Sequence, residues 1–325
     1  MLDIRAAVRL YCEVKEKLSC GEEGLMFKHE YADVNNVRLH YVAEGKGKLI
    51  MFLHGFPEFW YEWKNQLAEF GRDYQAVAPD MRGYNLSSRP AEVEQYSMKH
   101  LVEDIRALAE HLSHKKFVLV AHDWGGGVAW PFAMRHPDYL KKLIIINAPH
   151  PITFLRELHD NPAQWKASQC ILVHRTPEAE ELLSRNNYAV LVSSLLEDGL
   201  KQGYFTEEDR KAYIEAWSQP GALTGGLNYY RAAHLGTFIG EGDEALSADP
   251  SLFAVKVPTL VIWGEKDKYL LTGNLESLDK YVPNLTIKRI PDGSHWVIHE
   301  QPALVNAYIR EFIEGQISPS ALLRK

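Results

Sequence analysis

The chain has 325 residues, 46% of them hydrophobic and 24% charged, which is an ordinary composition for a globular protein. Its 36 Lys and Arg against 43 Asp and Glu give a formal net charge of −7, which argues against nucleic-acid binding and against a basic membrane-surface patch. No apolar run is long enough to span a membrane, and Cys12, Cys20 and Cys170 lack the spacing of a metal site or a disulfide framework. We therefore expect a cytoplasmic protein with no nucleic-acid partner and no membrane span, and a monomer or a homodimer.

The first part of the chain predicts an amphipathic helix, a β-hairpin and then alternating strands and helices. Apolar residues recur at a helical period over Leu2–Leu18, with charges between them. Lys28–Val34 and Val37–Ala43 flank Asn35-Asn36, a pair typical of a tight hairpin turn. Beyond the hairpin, the predicted strands and a predicted helix lie, in chain order, at Leu49–Leu53, Tyr74–Ala78, Lys99–His111 (the helix), Phe117–Ala121 and Leu143–Ile146.

The middle of the chain interrupts this alternation. From about Pro151 to Leu246 the pattern is helical without clear strands, and strands resume at Thr259–Trp263 and Leu285–Ile290. Alternating strands and helices predict an α/β fold with a mostly parallel central sheet flanked by helices. The helical block predicts an inserted helical lid, or cap, over the carboxyl ends of the strands, where ligands bind in such sheets. The predicted domains are a core of residues 1–149 and 247–325 and a cap of residues 150–246.

One strand ends in an unusual turn. Phe117–Ala121 runs into His122-Asp123-Trp124, and the glycines Gly125–Gly127 follow at once before a helical pattern. A sharp strand-to-helix turn needs small residues around a tip that is held in strained geometry, and Asp123 stands at that tip. The pattern matches the nucleophile turn of the α/β-hydrolase fold, G-x-S-x-G, with aspartate in place of serine.

The aspartate changes the chemistry that such a turn can perform. A carboxylate is already ionised at neutral pH, so the histidine of a catalytic triad is left free to activate water. Attack of Asp123 on an ester carbonyl would give a reactive anhydride, whereas attack on an alkyl carbon gives an ordinary ester that water can hydrolyse. The expected electrophile is therefore an epoxide or a carbon that bears a halogen. The alternative interpretation is that Asp123 only caps the following helix.

Candidate partners for Asp123 follow later predicted strands. Asp267 lies in the loop after Val257–Trp263, and His295 lies in the loop before the last helix. The order nucleophile, acid, histidine is that of an α/β-hydrolase triad, in which the acid orients the histidine and the histidine takes a proton from water. The backbone N–H groups of Phe56 and Trp124 are candidates for an oxyanion hole.

Several motifs together resemble the epoxide hydrolases of the α/β-hydrolase superfamily, over about Phe27–Phe312. They are H-G-F-P-E-F-W-Y-E-W at His54–Trp63, D-M-R-G-Y at Asp80–Tyr84, H-D-W-G-G at His122–Gly126, W-G-E-K-D at Trp263–Asp267 and G-S-H-W at Gly293–Trp296. The resemblance implies an α/β-hydrolase fold with a cap. It also implies hydrolysis of epoxides to vicinal diols through an ester on the nucleophile, without a metal or an organic cofactor. By the same resemblance Asp123 is the nucleophile, Asp267 the acid and His295 the base, with Phe56 and Trp124 as the oxyanion hole.

The family also uses two lid tyrosines as proton donors to the epoxide oxygen. The segment G-G-L-N-Y-Y-R at Gly225–Arg231 is similar to the family's lid segment and makes Tyr230 one donor, with Tyr229 turned into the packing of the lid. The other tyrosine position is occupied by Cys170, a poor hydrogen-bond donor, and His174 is a candidate substitute. Aromatic residues near the site, including Trp60 and Trp296, suggest an apolar or aromatic epoxide substrate.

Two other functions remain open at this point. A dehalogenase would use the same Asp123 and need no proton donor, since halide leaves as an anion. Trp124 and Gly127 stand where haloacetate dehalogenases carry arginines, and Phe56 stands where haloalkane dehalogenases usually carry Asn or Glu, so both kinds are disfavoured. A binding protein that kept the fold and lost turnover is the third interpretation.

Overall fold

The structure of the protein is a computed structural model, which describes residues 27–233 and 245–315. Eight strands form one sheet in the order β1-β2-β4-β3-β5-β6-β7-β8. The strands are β1 (Lys28–Val34), β2 (Val37–Glu44), β3 (Leu49–Leu53), β4 (Gln75–Pro79), β5 (Phe117–His122), β6 (Leu140–Ile146), β7 (Thr259–Gly264) and β8 (Leu285–Ile290). The pairs β1–β2 and β2–β4 are antiparallel and the remaining pairs are parallel, so the predicted mostly parallel sheet is confirmed.

Local sequence signals account for most of these strands. Asn35 and Asn36 both adopt left-handed backbone conformations, with φ of 46° and 61°, as a two-residue hairpin turn requires. Strand β6 begins at Leu140, three residues before the predicted start. Lys141 is exposed and Lys142 half-buried there, so the apolar run that marks the strand starts only at Leu143. The predicted helix at Leu2–Leu18 lies outside the described residues.

Helices flank the sheet and, among the described residues, occupy most of the interval between β6 and β7. Before β6 they are α1 (Lys64–Phe70), α2 (Met98–His111) and α3 (Asp123–Arg135). Between β6 and β7 they are α4 (Pro151–Asp160), α5 (Pro162–Ala167), α6 (Gln169–His174), α7 (Ala179–Leu191), α8 (Glu197–Gln202), α9 (Glu207–Ser218) and α10 (Ala222–Ala232). After β8 they are α11 (Val297–Glu300) and α12 (Pro302–Glu314). In the part of the chain that the structure describes, no helix is long and apolar enough to cross a membrane.

The inserted helices α4–α10 sit on the loops that leave the carboxyl ends of β3 and β4. The indole N–H of Trp217 donates to the Pro57 carbonyl at 2.6 Å, and the Tyr229 hydroxyl donates to the Arg82 carbonyl at 3.0 Å. Helix α10 approaches so closely that a Cβ at Gly225 would lie 2.2 Å from the carbonyl oxygen of Gly83. This placement agrees with the helical lid expected above the carboxyl edge of the sheet.

Candidate active site

Asp123 lies at the junction of β5 and α3, at the carboxyl edge of the sheet. Its backbone has φ of 46°, a strained left-handed conformation for a residue with a side chain. Neighbouring strands and loops pack tightly against both sides of the turn and leave no space for a side chain at the glycines. A Cβ at Gly125 would lie 2.2 Å from the carbonyl oxygen of Leu53, and one at Gly126 would lie 2.2 Å from the Ala148 Cβ. The glycines therefore allow the tight turn that projects the Asp123 carboxylate.

The three polar residues of the predicted triad meet at this edge. His295 Nδ1 lies 2.7 Å from Asp267 Oδ2, and His295 Nε2 lies 3.6 Å from Asp123 Oδ2. Burial lowers the pKa of His295, but the negative charges of Asp267 and Asp123 outweigh it and raise that pKa to about 9. Burial opposes ionisation of Asp267, yet its bonds to His295 and to backbone N–H groups bring the pKa of its carboxyl below the ordinary value. Asp267 therefore stays ionised and favours the charged form of His295.

The carboxylate of Asp267 has a partner at each oxygen. The N–H groups of Tyr269 and Leu270 donate to Oδ1 at 2.8 Å and 2.9 Å, and the Asn147 side-chain amide donates to Oδ2 at 2.7 Å. Asn147 directly follows β6 and was missed in the sequence analysis. A polar residue at the carboxyl end of a central parallel strand is the signal that could have found it.

The loop after β3 brings a backbone donor to the Asp123 carboxylate. The Phe56 N–H donates to Asp123 Oδ1 at 2.8 Å, and the Phe56–Pro57 peptide bond is cis. Gly55 allows this approach, since a Cβ there would lie 2.4 Å from the Asp123 Cβ. Trp124 is the second residue of α3, and the role of its N–H as the other oxyanion donor stays a prediction.

A cavity of about 570 Å³ opens above Asp123 and extends between the sheet edge and the inserted helices. Among the described residues, its walls contain apolar and aromatic side chains and no Lys or Arg. Tyr230, on α10, lines this cavity, and its ring contacts those of Phe56 and Trp124 at centroid distances of 5.4 Å and 5.0 Å. Burial and the nearby charge of Asp123 hold the pKa of Tyr230 well above its ordinary value, so the hydroxyl keeps its proton at neutral pH.

Cys170 and His174 line the same cavity from α6. Burial raises the pKa of the Cys170 thiol and lowers the pKa of His174 to about 4, so both groups are neutral at pH 7. The His174 ring contacts the Tyr230 ring at 4.6 Å, and His174 Nδ1 has no hydrogen-bond partner among the described residues. His174 is thus close enough to Tyr230 to face the same substrate.

Two further residues that were predicted to contact substrate, Trp296 and Tyr229, differ in how they take part in the cavity wall. Trp296 lines the cavity, and its indole N–H donates to the Ser194 carbonyl at 2.9 Å, which connects the His295 loop to the inserted helices. Tyr229 contributes ring surface to the cavity wall, but its hydroxyl is buried on the Arg82 carbonyl, as expected of a packing residue.

Trp60 lies outside the cavity, so the structure does not support its predicted contact with substrate. Its ring packs against Phe27 and His29, and its backbone N–H donates to Asp80 at 3.0 Å. The aromatic cluster that follows Pro57 contributes this residue to the core because the short 3₁₀ turn Trp60–Trp63 directs the ring toward β1 and away from the strand ends.

Tyr269 is a cavity residue that the sequence analysis did not single out. It lies two positions after Asp267, and its ring centroid lies 5.3 Å from that of His295. Its position next to the predicted acid could have identified it. A residue that follows the acid in the same short loop lies at the same edge of the sheet.

Comparisons with known proteins agree with this geometry. Residues 48–302 match the family described as alpha/beta hydrolase fold. The AB hydrolase superfamily protein YfhM of Bacillus subtilis is 40% identical over 294 residues, which cover 89% of this chain and 99% of that protein. Epoxide hydrolase 2 of Caenorhabditis elegans is 36% identical over 294 residues, covering 88% and 80% respectively. A crystal structure of Bacillus megaterium epoxide hydrolase in complex with an inhibitor has a TM-score of 0.82 and 40% identity, covering 88% of this chain and 100% of that one. The chain belongs to the epoxide hydrolases of the α/β-hydrolase superfamily.

Proposed function

We propose that the protein converts epoxides to vicinal diols through a covalent ester on Asp123, and that residues 150–246 form the cap that covers the substrate. The observation that carries the proposal is the environment of the Asp123 carboxylate. Oδ1 is held by the Phe56 N–H, whereas Oδ2 faces His295 Nε2 at 3.6 Å and has no closer donor among the described residues. One oxygen is thus oriented and the other is available to attack.

In the first step, Asp123 Oδ2 attacks a carbon of the epoxide ring and the carbon–oxygen bond of the ring breaks. The Tyr230 hydroxyl gives its proton to the departing oxygen, which becomes the first hydroxyl of the diol. The high pKa of Tyr230 ensures that this proton is present when substrate binds. The product of this step is an ester between Asp123 and the substrate carbon.

In the second step, His295 takes a proton from water, and the resulting hydroxide attacks the ester carbonyl of Asp123. The N–H groups of Phe56 and Trp124 stabilise the oxyanion, and Asp267 stabilises the charged His295. Collapse of the tetrahedral intermediate breaks the ester bond, and the released diol oxygen takes the proton of His295. The second proton of the water, now on the Asp123 carboxyl group, passes to the Tyr230 oxygen and restores both residues. Ester formation removes the charge of Asp123 and so lowers the pKa of His295 when the neutral ring is needed.

The cavity supports a neutral, largely apolar epoxide. Apart from Asp123, the polar side-chain groups on its described walls are hydroxyls, two indole N–H groups, the Cys170 thiol and the imidazoles of His174 and His295, with no Lys or Arg to bind an anionic group. Apolar walls bind substrate by burial of apolar surface, and the few polar groups orient the ring.

A trapping experiment tests the covalent step. In His295→Gln the ester should form and persist, because no base activates water, so mixing with styrene oxide should increase the mass of the protein by one substrate molecule. Peptide mapping should locate the addition on Asp123. The matched variant Asp123→Asn should show neither an adduct nor diol formation.

A panel of epoxide and halogenated substrates distinguishes the alternative functions. Wild-type protein should convert styrene oxide or an aliphatic terminal epoxide to diol and release no halide from a bromoalkane or from fluoroacetate. Halide release without diol would assign the protein to the dehalogenases. No reaction with any of the compounds, together with no adduct on His295→Gln, would contradict the proposal.

A further inference from the structure

Gln164, on helix α5, is a fully buried residue that the proposed reaction does not use. Its side chain has no solvent exposure, and it does not line the described part of the cavity. Its Nε2 donates to Ser168 Oγ and to the Tyr269 carbonyl, both at 2.8 Å. Its Oε1 accepts from the Leu271 N–H at 2.8 Å and from the Asn274 side-chain amide at 2.9 Å. The amide thus makes four hydrogen bonds, which is its full capacity.

The backbone partners fix the orientation of this amide. A carbonyl oxygen can only accept a hydrogen bond, and a backbone N–H can only donate one. Nε2 must therefore face the Tyr269 carbonyl and Oε1 must face the Leu271 N–H, because the flipped amide would oppose acceptor to acceptor and donor to donor. The side chain of Gln164 is thus a specific partner of this stretch of backbone.

The backbone that Gln164 binds is also the backbone that holds Asp267. The Tyr269 carbonyl and the Leu270 N–H belong to one trans peptide group, in which they point in opposite directions. The carbonyl accepts from Gln164, and the N–H donates to Asp267 Oδ1 at 2.9 Å. The Tyr269 N–H donates to the same oxygen at 2.8 Å. One planar group therefore connects the Gln164 amide to the Asp267 carboxylate.

The other oxygen of Asp267 faces His295. His295 Nδ1 lies 2.7 Å from Asp267 Oδ2, to which the Asn147 side chain donates from the end of β6. Because rotation of a carboxylate moves both of its oxygens together, the donors on Oδ1 also set the direction of Oδ2. The hydrogen bonds of Gln164 therefore act on the alignment of Asp267 with His295, and they do so from the inserted helices.

The later part of the loop after Asp267 has a separate anchor. Arg156, on α4, donates to the Gly273 carbonyl and to the Glu276 carbonyl, both at 2.7 Å. Removal of the Gln164 amide therefore releases the backbone of residues 269–271, while the later part of the loop stays bound to α4.

We propose that Gln164 is a positioning residue for ester hydrolysis, which holds the peptide group between Tyr269 and Leu270 so that Asp267 stays aligned with His295. The inserted helices then do more than cover the cavity, because one of them supports the triad acid. Ser168, another partner of the amide, lines the cavity, so the cavity wall and the acid loop share one hydrogen-bonded group. The catalytic consequence rests on the proposed function, whereas the effect on the bond between Asp267 and His295 can be measured without it.

The variant Gln164→Met keeps the length and most of the volume of the side chain and removes its hydrogen bonds. In the proposed reaction Asp123 and Tyr230 form the ester, and Asp267 and His295 act when the ester is hydrolysed. We therefore expect Gln164→Met to lower kcat for styrene oxide by about 10- to 100-fold, because His295 loses its alignment. The rate of ester formation in a single turnover should stay within about threefold of the wild-type rate.

Mass spectrometry of samples quenched during turnover measures the ester directly. A larger fraction of Gln164→Met than of the wild type should carry the ester, as in His295→Gln. Equal slowing of ester formation and of ester hydrolysis would show a general defect of the fold and overturn the proposal. If Gln164→Met does not fold, Gln164→Asn replaces it, because its shorter side chain cannot reach the Tyr269 carbonyl and the Leu271 N–H together.

The matched control is Gln66→Met. Gln66 is equally buried, and its amide donates to the Asn306 side chain at 2.9 Å, between α1 and α12. This variant removes the same chemical group from a contact that does not involve the acid loop. It should lower thermal stability and keep kcat within about threefold of the wild-type value. A loss of kcat in Gln66→Met as large as in Gln164→Met would contradict the specific role of Gln164.

A proton NMR measurement tests the positioning without substrate. The proton between His295 Nδ1 and Asp267 Oδ2 should give a resonance far downfield in the wild type that is absent from His295→Gln. The resonance should shift or broaden in Gln164→Met and stay unchanged in Gln66→Met. An unchanged resonance in Gln164→Met would overturn the proposal. If the resonance responds as expected but the wild type forms neither ester nor diol, the proposed function fails while the hold of Gln164 on Asp267 stands.

Discussion

The sheet edge and the inserted helices contribute to the same cavity in different ways. At the sheet edge, each oxygen of Asp267 is hydrogen-bonded and His295 is held from both sides by Asp267 and Asp123. On the helices, His174 Nδ1 lacks a partner among the described residues. Hydrogen bonds thus fix Asp267 and His295 at the sheet edge, whereas the His174 ring on the helices packs against the rings of Phe56 and Tyr230.

The backbone of the inserted helices shows the same contrast. Helix α7 is interrupted by left-handed backbone at Asn186, Asn187 and Tyr188, with φ of 52°, 56° and 61°. The sheet edge also contains a left-handed residue, Asp123, but there the conformation is enforced by close packing around Gly125 and Gly126. Strained backbone thus lies at Asp123 in one region and within helix α7 in the other. In the proposed reaction the sheet edge supplies the nucleophile and the base, while the helices supply the proton donor to the departing oxygen and part of the cavity wall.

The largest effect should come from removing the proton donor on the helical side. Tyr230→Phe should lower kcat for styrene oxide by a factor of about 10²–10⁴, because the epoxide oxygen would leave without a proton. The matched variant Tyr229→Phe removes the same atom from the adjacent residue, whose hydroxyl binds the Arg82 carbonyl. It should reduce thermal stability and leave kcat near the wild-type value. Equal losses of kcat in the two variants would contradict the assignment of Tyr230.

The pH dependence of the free energy of unfolding should report on His295 at the sheet edge. The pKa of His295 rises from an ordinary 6.5 to about 9 in the folded protein, so its charged form stabilises the fold. This contribution is complete below the unfolded pKa of about 6.5 and is lost as pH rises through about 9, on the order of 3 kcal/mol in total. Unfolding in urea at pH 6 and pH 10 should show the loss in the wild type.

The matched variants for this measurement are His295→Gln and Asp123→Asn. In His295→Gln the free energy of unfolding should lose this dependence on pH between pH 6 and pH 10. In Asp123→Asn the dependence should be smaller, because one of the charges that raise the pKa of His295 is gone. An unchanged pH dependence in His295→Gln would assign the effect to another group.

The smallest effect should come from the contact between the two regions. Trp296→Phe keeps an aromatic ring in the cavity wall but loses the N–H that donates to the Ser194 carbonyl. We expect a loss of about 1 kcal/mol in the free energy of unfolding, and a change in KM larger than the change in kcat. Thermal unfolding and steady-state kinetics with styrene oxide measure both. A large loss of kcat with unchanged KM would show that the contact positions His295 itself.

Much of the site could be predicted because its chemistry depends on local sequence. The small residues after β5 mark the sharp turn at Asp123, and polar residues in the loops that follow β7 and β8 mark Asp267 and His295. The parallel order of the strands then brings their carboxyl ends to one edge, so residues distant in sequence meet there. Asn147 obeys the same rule, because it directly follows β6 and donates to Asp267.

The chain by itself determined the strands, the sharp turn at Asp123 and the candidate triad, since strand periodicity, glycine spacing and ionisation at neutral pH are local properties. Only the tertiary structure decided which aromatic rings face the cavity. It placed Trp60 in the core and Tyr269 in the cavity wall, because the direction of a ring depends on how its turn packs against other elements.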